Sequence, residues 1–258
     1  MRTPPFLRVT GYMARAYART WQASIAATFV NPVLYLLAMG VGLGSFVDKS
    51  GTAALGHHSY LHFVAPALAA TAAAVTAANE SMFPIMGAIK WQRTYYAMLA
   101  TPLRVGDVLA GHLVWIGARI TTAVASYLVV MAAFGTTPSF EAIAILPVGI
   151  LTGAAFAAPL VAFAATQDTD GGFSLVFRLG IVPLFLFSGV FFPLSQLPAA
   201  LRVLAWVTPL WNGVALCRPL AYGDVTAAGL TGHLAYLIGV TTAGILAARV
   251  TFRRRLLV

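Results

Sequence analysis

Residues 142–166 read AIAILPVGILTGAAFAAPLVAFAAT, a run without one charged side chain. A helix needs about 20 apolar residues to cross a hydrocarbon layer about 30 Å thick, and this stretch is long enough. The surrounding chain agrees with it: of 258 residues, 60% are hydrophobic and 9% charged, with a mean hydropathy of +0.85. Soluble domains carry roughly 25% charged residues. A chain with so few cannot clothe its core in polar surface, which excludes a water-soluble globular enzyme. The main solvent is lipid.

Working outward, the same criterion picks six spans: Ala23–Phe46, about Tyr60–Met82, Val108–Phe134, Ala142–Thr166, Phe173–Phe192 and Leu230–Ala248. The third is interrupted by Arg119, and the fifth carries Arg178 near its start, placed to snorkel to the nearer interface. Residues 83–107 and 193–229 are left as non-spanning segments. The expected fold class is an all-α membrane protein with six transmembrane helices, one transmembrane domain over residues 1–258.

The net charge of +9 could suit nucleic acid. The basic residues, however, flank the apolar runs as membrane anchors do, so no nucleic-acid partner is expected. Arg2, Arg8, Arg15, Arg19, Lys90, Arg93, Arg104, Arg249, Arg253, Arg254 and Arg255 fall on one side of the spans, against Lys49, Arg202 and Arg218 on the other. Positive residues are retained in the cytoplasm, so both termini are expected there. The Arg253–Arg255 tail reads as a stop-transfer anchor, with specific lipid binding as the other reading.

In residues 1–22, Phe6, Val9, Met13 and Ala16 recur at helical spacing while Arg8, Arg15 and Arg19 fall on another face. This predicts an amphipathic helix in the interface, either a simple anchor or a lever joining a cytoplasmic partner to span one. The apolar run that follows is too long for a signal-peptide core. One cysteine, Cys217, excludes an internal disulfide and any multi-cysteine metal site.

Between spans two and three, residues 90–107 read KWQRTYYAMLATPLRVGD. The stretch is too polar to span and too aromatic for a plain solvated link. A short helix from about Trp91 to Ala100 would set Tyr95, Met98 and Leu99 on one face and end at Thr101-Pro102, because the residue before proline is pushed out of helical geometry. Exposed aromatic and methionine side chains there read as a docking surface, or as a helix floating at the headgroups. Asp107, opening span three, is placed to favour the positive helix end.

These residues carry a definite resemblance. Trp91-Gln92-Arg93-Thr94, Ala97 through Arg104 and Gly106-Asp107 resemble the loop of type-2 ATP-binding-cassette exporter permeases, in particular the nodulation-factor and daunorubicin-resistance branches. Leu186 through Pro198 is similar to the segment ending span five in that family. Thr208-Pro209-Leu210, Arg218-Pro219 and the basic tail match further, so the resemblance covers essentially the whole chain in order.

It implies a half-transporter: two six-helix permeases joined to two cytoplasmic ATPase subunits, which bind the ATP and Mg, with no cofactor held by this chain. The second permease would be a copy of this one or a related chain, in the plasma membrane of a bacterium. The loop after span two would be the helix seated on the ATPase, with Trp91, Arg93, Tyr95, Tyr96, Met98 and Leu99 as its coupling residues. Tyr96 stands where the branch commonly has an acidic residue, which favours packing over charge at that contact. Phe187, Ser188, Gly189, Phe191, Phe192 and Pro193 would belong to the gate or translocation path.

The residues themselves say more about the second non-spanning segment. Prolines 193, 198 and 209 chop it into pieces too short to cross, and irregular backbone at membrane depth must be shielded by protein or face water. Two short helices dipping from the outer side are expected, as in the family's external gate, with Trp206 and Trp211 at headgroup level. Ser188-Gly189 would permit close packing where span five meets span one.

Arg119 lies twelve residues past Asp107, about 18 Å deep at 1.5 Å per residue. A charge there faces protein or water. Glu80, placed near the end of span two, is not expected to be its partner; backbone carbonyls, a polar side chain or an anionic headgroup remain. His57, His58 and His62 read as solvated loop residues rather than a metal site.

The chain has no Gly-x-x-x-x-Gly-Lys-[Ser/Thr] loop for phosphate and no nucleophile elbow or zinc helix. The leading reading is therefore the permease subunit of an ATP-driven exporter of an amphipathic lipid, glycolipid, polyketide or drug. The alternative is an ion-coupled carrier or membrane-embedded enzyme, which would need acidic residues inside the spans.

Overall fold

The computed structural model describes residues 4–137, 139–224 and 226–257, and no strand occurs among them. Arg2, one of the charges counted above, lies outside the described residues. Helix α1 (Pro5–Tyr17) leads through a turn into α2, built of Trp21–Tyr35, a wide-turn segment Leu36–Leu43 and Gly44–Lys49. Helix α3 runs through Tyr60–Ser81, Phe83–Met86 and the wide-turn segment Gly87–Trp91. A short α4 (Thr94–Leu99) precedes α5 (Val105–Ala133) and α6 (Ile145–Ala164). Helix α7 joins Gly171–Leu175, Val176–Ile181 and Val182–Phe187, and α8 (Ala199–Trp206), α9 (Pro209–Tyr222) and α10 (Ala227–Leu256) complete the chain.

Among the described residues, five helices are long and apolar enough to cross a membrane, six if the bent pair α8–α9 counts as one. The apolar helix at span five is Gly171–Phe187, shorter than the expected Phe173–Phe192. It stops because Gly189 takes a left-handed backbone with φ of +74°, the conformation that closes helices and that side-chain-bearing residues adopt poorly.

Helix α3 is the centre of the bundle. Its inner positions are small, with Ala65, Ala67, Ala69, Ala70, Ala73, Ala74, Ala77 and Ala78 all buried, so α5, α6 and α9 approach it closely. Without a hydrophobic drive between helices in lipid, such close van der Waals contact is what holds them. Gly244 lets α10 close on α6 at Pro159: a Cβ there would stand 2.6 Å from the Pro159 nitrogen.

Two expectations about span two need correction. The helix does not end at Met82. It bends there, with φ of −105° and ψ of −80°, and continues to Trp91, so the first part of segment 83–107 is helical. The helix expected from Trp91 to Ala100 starts only at Thr94, because Arg93 is left-handed, with φ of +52°, and turns the chain between α3 and α4.

At the other end of the bundle the chain bends by 82° between α8 and α9. Tyr236, nine residues into α10 and so about 13 Å along it, donates to the Val207 carbonyl at this elbow. Thr208 caps α9 by accepting from the Trp211 N–H at 3.2 Å, and the Asn212 amide donates to the Trp206 and Thr208 carbonyls at 3.1 and 2.8 Å. The backbone groups freed by the bend thus find partners inside the protein, as membrane depth requires.

Candidate functional site

The groove between α2, α3, α5 and α7 has a volume of about 510 Å³. Ser24, Thr28, Asn31, Thr71, Thr76, Ser126 and Arg119 supply polar atoms; Leu68, Phe177, Ile181, Val182 and Phe185 supply apolar wall, and Tyr35 and Tyr127 add rings with hydroxyls. The polar groups come from α2, α3 and α5, while α7 contributes apolar side chains alone.

Arg119 lines the groove, and its partner is Glu80 after all: Nε donates to Oε1 at 2.9 Å. The expectation failed because it took span two to end at Met82. With the helix running to Trp91, Glu80 sits eleven residues inside its end, about 16 Å at 1.5 Å per residue. Tyr17 of α1 lies under the guanidinium, 4.4 Å from ring centroid to Cζ, and packs edge-on against Trp115 at 5.5 Å.

From Glu80 the polar chain continues toward the end of the bundle that holds α4. The Glu80 carbonyl can only accept, so His112 Nε2, 3.3 Å away, donates to it. A neutral imidazole then accepts at Nδ1, and the Tyr95 hydroxyl donates there at 2.6 Å. Tyr95 is consequently fully buried, packed also against Phe252, and burial pushes its phenol well above its ordinary pKa. This corrects the placing of Tyr95 on an exposed docking face. Tyr96 and Trp91 are the exposed aromatics, at 40% and 63%; Arg93 is exposed, and Met98 and Leu99 lie half-buried against the core.

Lys90, the turn before α7 and the end of α10 meet beside α4. Asp168 there binds Arg255 Nη2 at 2.7 Å and Lys90 Nζ at 3.3 Å. Those contacts, the Arg255 hydrogen bond foremost, hold the Asp168 carboxyl below its ordinary pKa.

At the opposite end, Phe187 is partly exposed and Ser188 fully buried, with its hydroxyl 3.2 Å from that of Thr208. Phe191 packs edge-on against Phe185 at 4.8 Å, and Phe192 and Pro193 are half-buried. Arg218, which the sequence reading took as a flanking charge and as part of the matching Arg218-Pro219 pair, fastens this turn. It donates to the Gly189 and Val190 carbonyls and to Phe63 of α3, and its Cζ lies 3.6 Å from the Phe63 ring centroid. A lone arginine in the apolar run from Trp211 to Tyr222 was the available signal. Among the described residues no cluster of side chains could hold a metal ion.

A bundle of membrane-length helices with an open groove between them fits a membrane transport component. The chain belongs to the ABC-2 type transporter family, whose model matches residues 6–219. It is 34% identical to Nodulation protein J of Rhizobium leguminosarum bv. trifolii over 208 residues, 81% of this chain and 78% of that protein. To Nodulation protein J of R. leguminosarum bv. viciae it is 31% identical over 242 residues, 94% and 91% of the two chains. To that of Rhizobium meliloti (strain 1021) it is 30% identical over 209 residues, 81% and 78%.

Proposed function

We propose that this chain is half of the membrane unit of an ATP-driven exporter, pairing with a second permease and with cytoplasmic ATPase subunits to move an amphipathic lipid, glycolipid, polyketide or drug outward. The observation that carries the reading is the groove in a chain of a transporter family: Arg119 and hydroxyls from α2, α3 and α5 share it with the apolar wall of α7. An amphipathic solute needs both. Homodimer pairing is favoured, through α2 and α7, whose exposed large apolar side chains include Phe29, Leu34, Tyr35, Leu179 and Val182. Trp91, Arg93, Tyr96, Met98 and Leu99 are proposed to meet the ATPase, with Tyr95 positioning their helix from within. The charge asymmetry supports a cytoplasmic position for both termini.

A proton- or ion-coupled carrier would need a free intramembrane carboxylate. Glu80 is inside a span but is engaged by Arg119, which weighs against that reading. The test is to isolate the tagged chain from its native membranes. An ATP-binding subunit should come with it, and vesicles should export only when ATP is supplied. Isolation without such a subunit, together with transport driven by an ion gradient alone, would overturn the proposal.

A further inference from the structure

A second cavity, about 840 Å³, exceeds the groove in volume. It lies on the other flank, where the start of α5 meets the end of α10, and Arg104, Arg249 and Arg253 converge on it. None of these guanidinium groups has an acidic partner among the described residues, where the ion pairs are Lys90–Asp168, Arg255–Asp168 and Arg119–Glu80. Asp107 stands at the rim, but its Oδ2 is engaged as a helix cap, accepting from the Arg104 backbone N–H at 2.9 Å.

The rest of the lining is apolar, with Leu109, Leu113, Ile245 and Leu256 prominent. From Val105 to Leu113 and from Arg253 back to Ile245 the wall descends eight residues, about 12 Å along each helix. Charge at the mouth over a hydrocarbon wall that falls away into a span is the shape of a phospholipid. Basic pockets between membrane helices take anionic headgroups in this way.

We propose that this cavity binds an anionic phospholipid, its phosphodiester between Arg104, Arg249 and Arg253 and one acyl chain along Leu109, Leu113 and Ile245. A soluble protein cannot reach a wall inside the apolar layer. A second copy of this chain, docked face to face, would set arginine against arginine. The lipid fills the cavity and neutralises charge beside Leu99, tying the α5–α10 junction to the base of α4. The proposal needs only that α5 and α10 cross a bilayer, so it stands or falls apart from the exporter reading.

The test is native mass spectrometry of the purified full chain in neutral detergent, titrated with dioleoylphosphatidylglycerol and with dioleoylphosphatidylcholine. The wild type should prefer the anionic lipid. Replacing Arg104, Arg249 and Arg253 together by Gln should weaken that binding about a hundredfold, at about 1 kcal/mol for each basic residue. A charge-matched control, Arg8→Gln with Arg15→Gln and Arg254→Gln, should keep it. Leu113→Trp, which retains every charge and fills the wall, should lower it as well. The proposal is overturned if the control loses as much as the triple variant, if Leu113→Trp binds normally, or if glycerol 3-phosphate displaces the lipid at equal concentration.

Discussion

Two arginines lie inside this bundle, and they are neutralised by different means. Arg218 spends its donors on carbonyls at the end of α7 and on α3, so it serves as a clamp on backbone that has no helical partner. Arg119 pairs with a carboxylate, and both side chains are mostly enclosed, 17% and 21% exposed. Breaking one side of an enclosed pair leaves an uncompensated charge, whereas removing both sides is far milder. Glu80→Gln is therefore expected to lower stability by about 2–3 kcal/mol and Glu80→Gln with Arg119→Gln by clearly less, read from thermal unfolding midpoints in detergent. A double variant that loses the sum of the two single variants' losses would mean the pair does not interact. The charge at position 119 was visible in the sequence because it interrupts an apolar run. Its partner was not, since a bent helix that continues past Phe83-Pro84 looks in one dimension like a helix that has ended.

At the scale of elements, the spans were legible because about 20 apolar residues in a row leave few alternatives, while their ends depended on backbone geometry that composition does not record. Gly189 shows this: read as a packing glycine within a span, it is the residue that stops the span. The short α4 was legible as a helix but not in its facing, because Tyr95 turns inward to a histidine one helix away.

The ends of α3, α10 and the turn before α7 are held together by Asp168, and that tie has a definite pH dependence. Its carboxyl pKa is depressed in the folded chain by Arg255 and Lys90. The contribution is therefore complete above the ordinary aspartate range of about 4 and is lost as pH falls through the lower folded value. Between pH 6 and 8 no change is expected. Amide protection in residues 249–257, taken relative to the intrinsic exchange rate at each pH, should fall on acidification below about pH 4, and Asp168→Asn should show the lowered protection already at neutral pH. A variant indistinguishable from wild type at both ends of that range would remove Asp168 from the role.

Across the whole molecule, the two ends of the bundle differ in charge and in build. The end bearing α4 holds the unpaired arginines and the lipid-shaped cavity; the other holds the elbow at Val207–Thr208 and the turn clamped by Arg218. The groove lies on the face where α2 and α7 present their unburied apolar side chains, so a second permease would close it into a passage. Blocking that passage calls for a position where added bulk meets only open space. Gly189 fails that requirement, because a Cβ there would stand 2.3 Å from Leu194 and its φ of +74° is strained for any other residue. Asn31 meets it: the side chain lines the groove, is exposed, and sits within a helix that continues on both sides. Asn31→Trp is expected to cut export by about tenfold or more, a loss of about 1.4 kcal/mol in the step it obstructs, while the assembled complex still forms and hydrolyses ATP at its basal rate. If the groove is instead a seam between subunits, the same variant should separate the permeases, and hydrolysis and export should fall together with the dimer. Full export by an intact Asn31→Trp complex would place the path elsewhere.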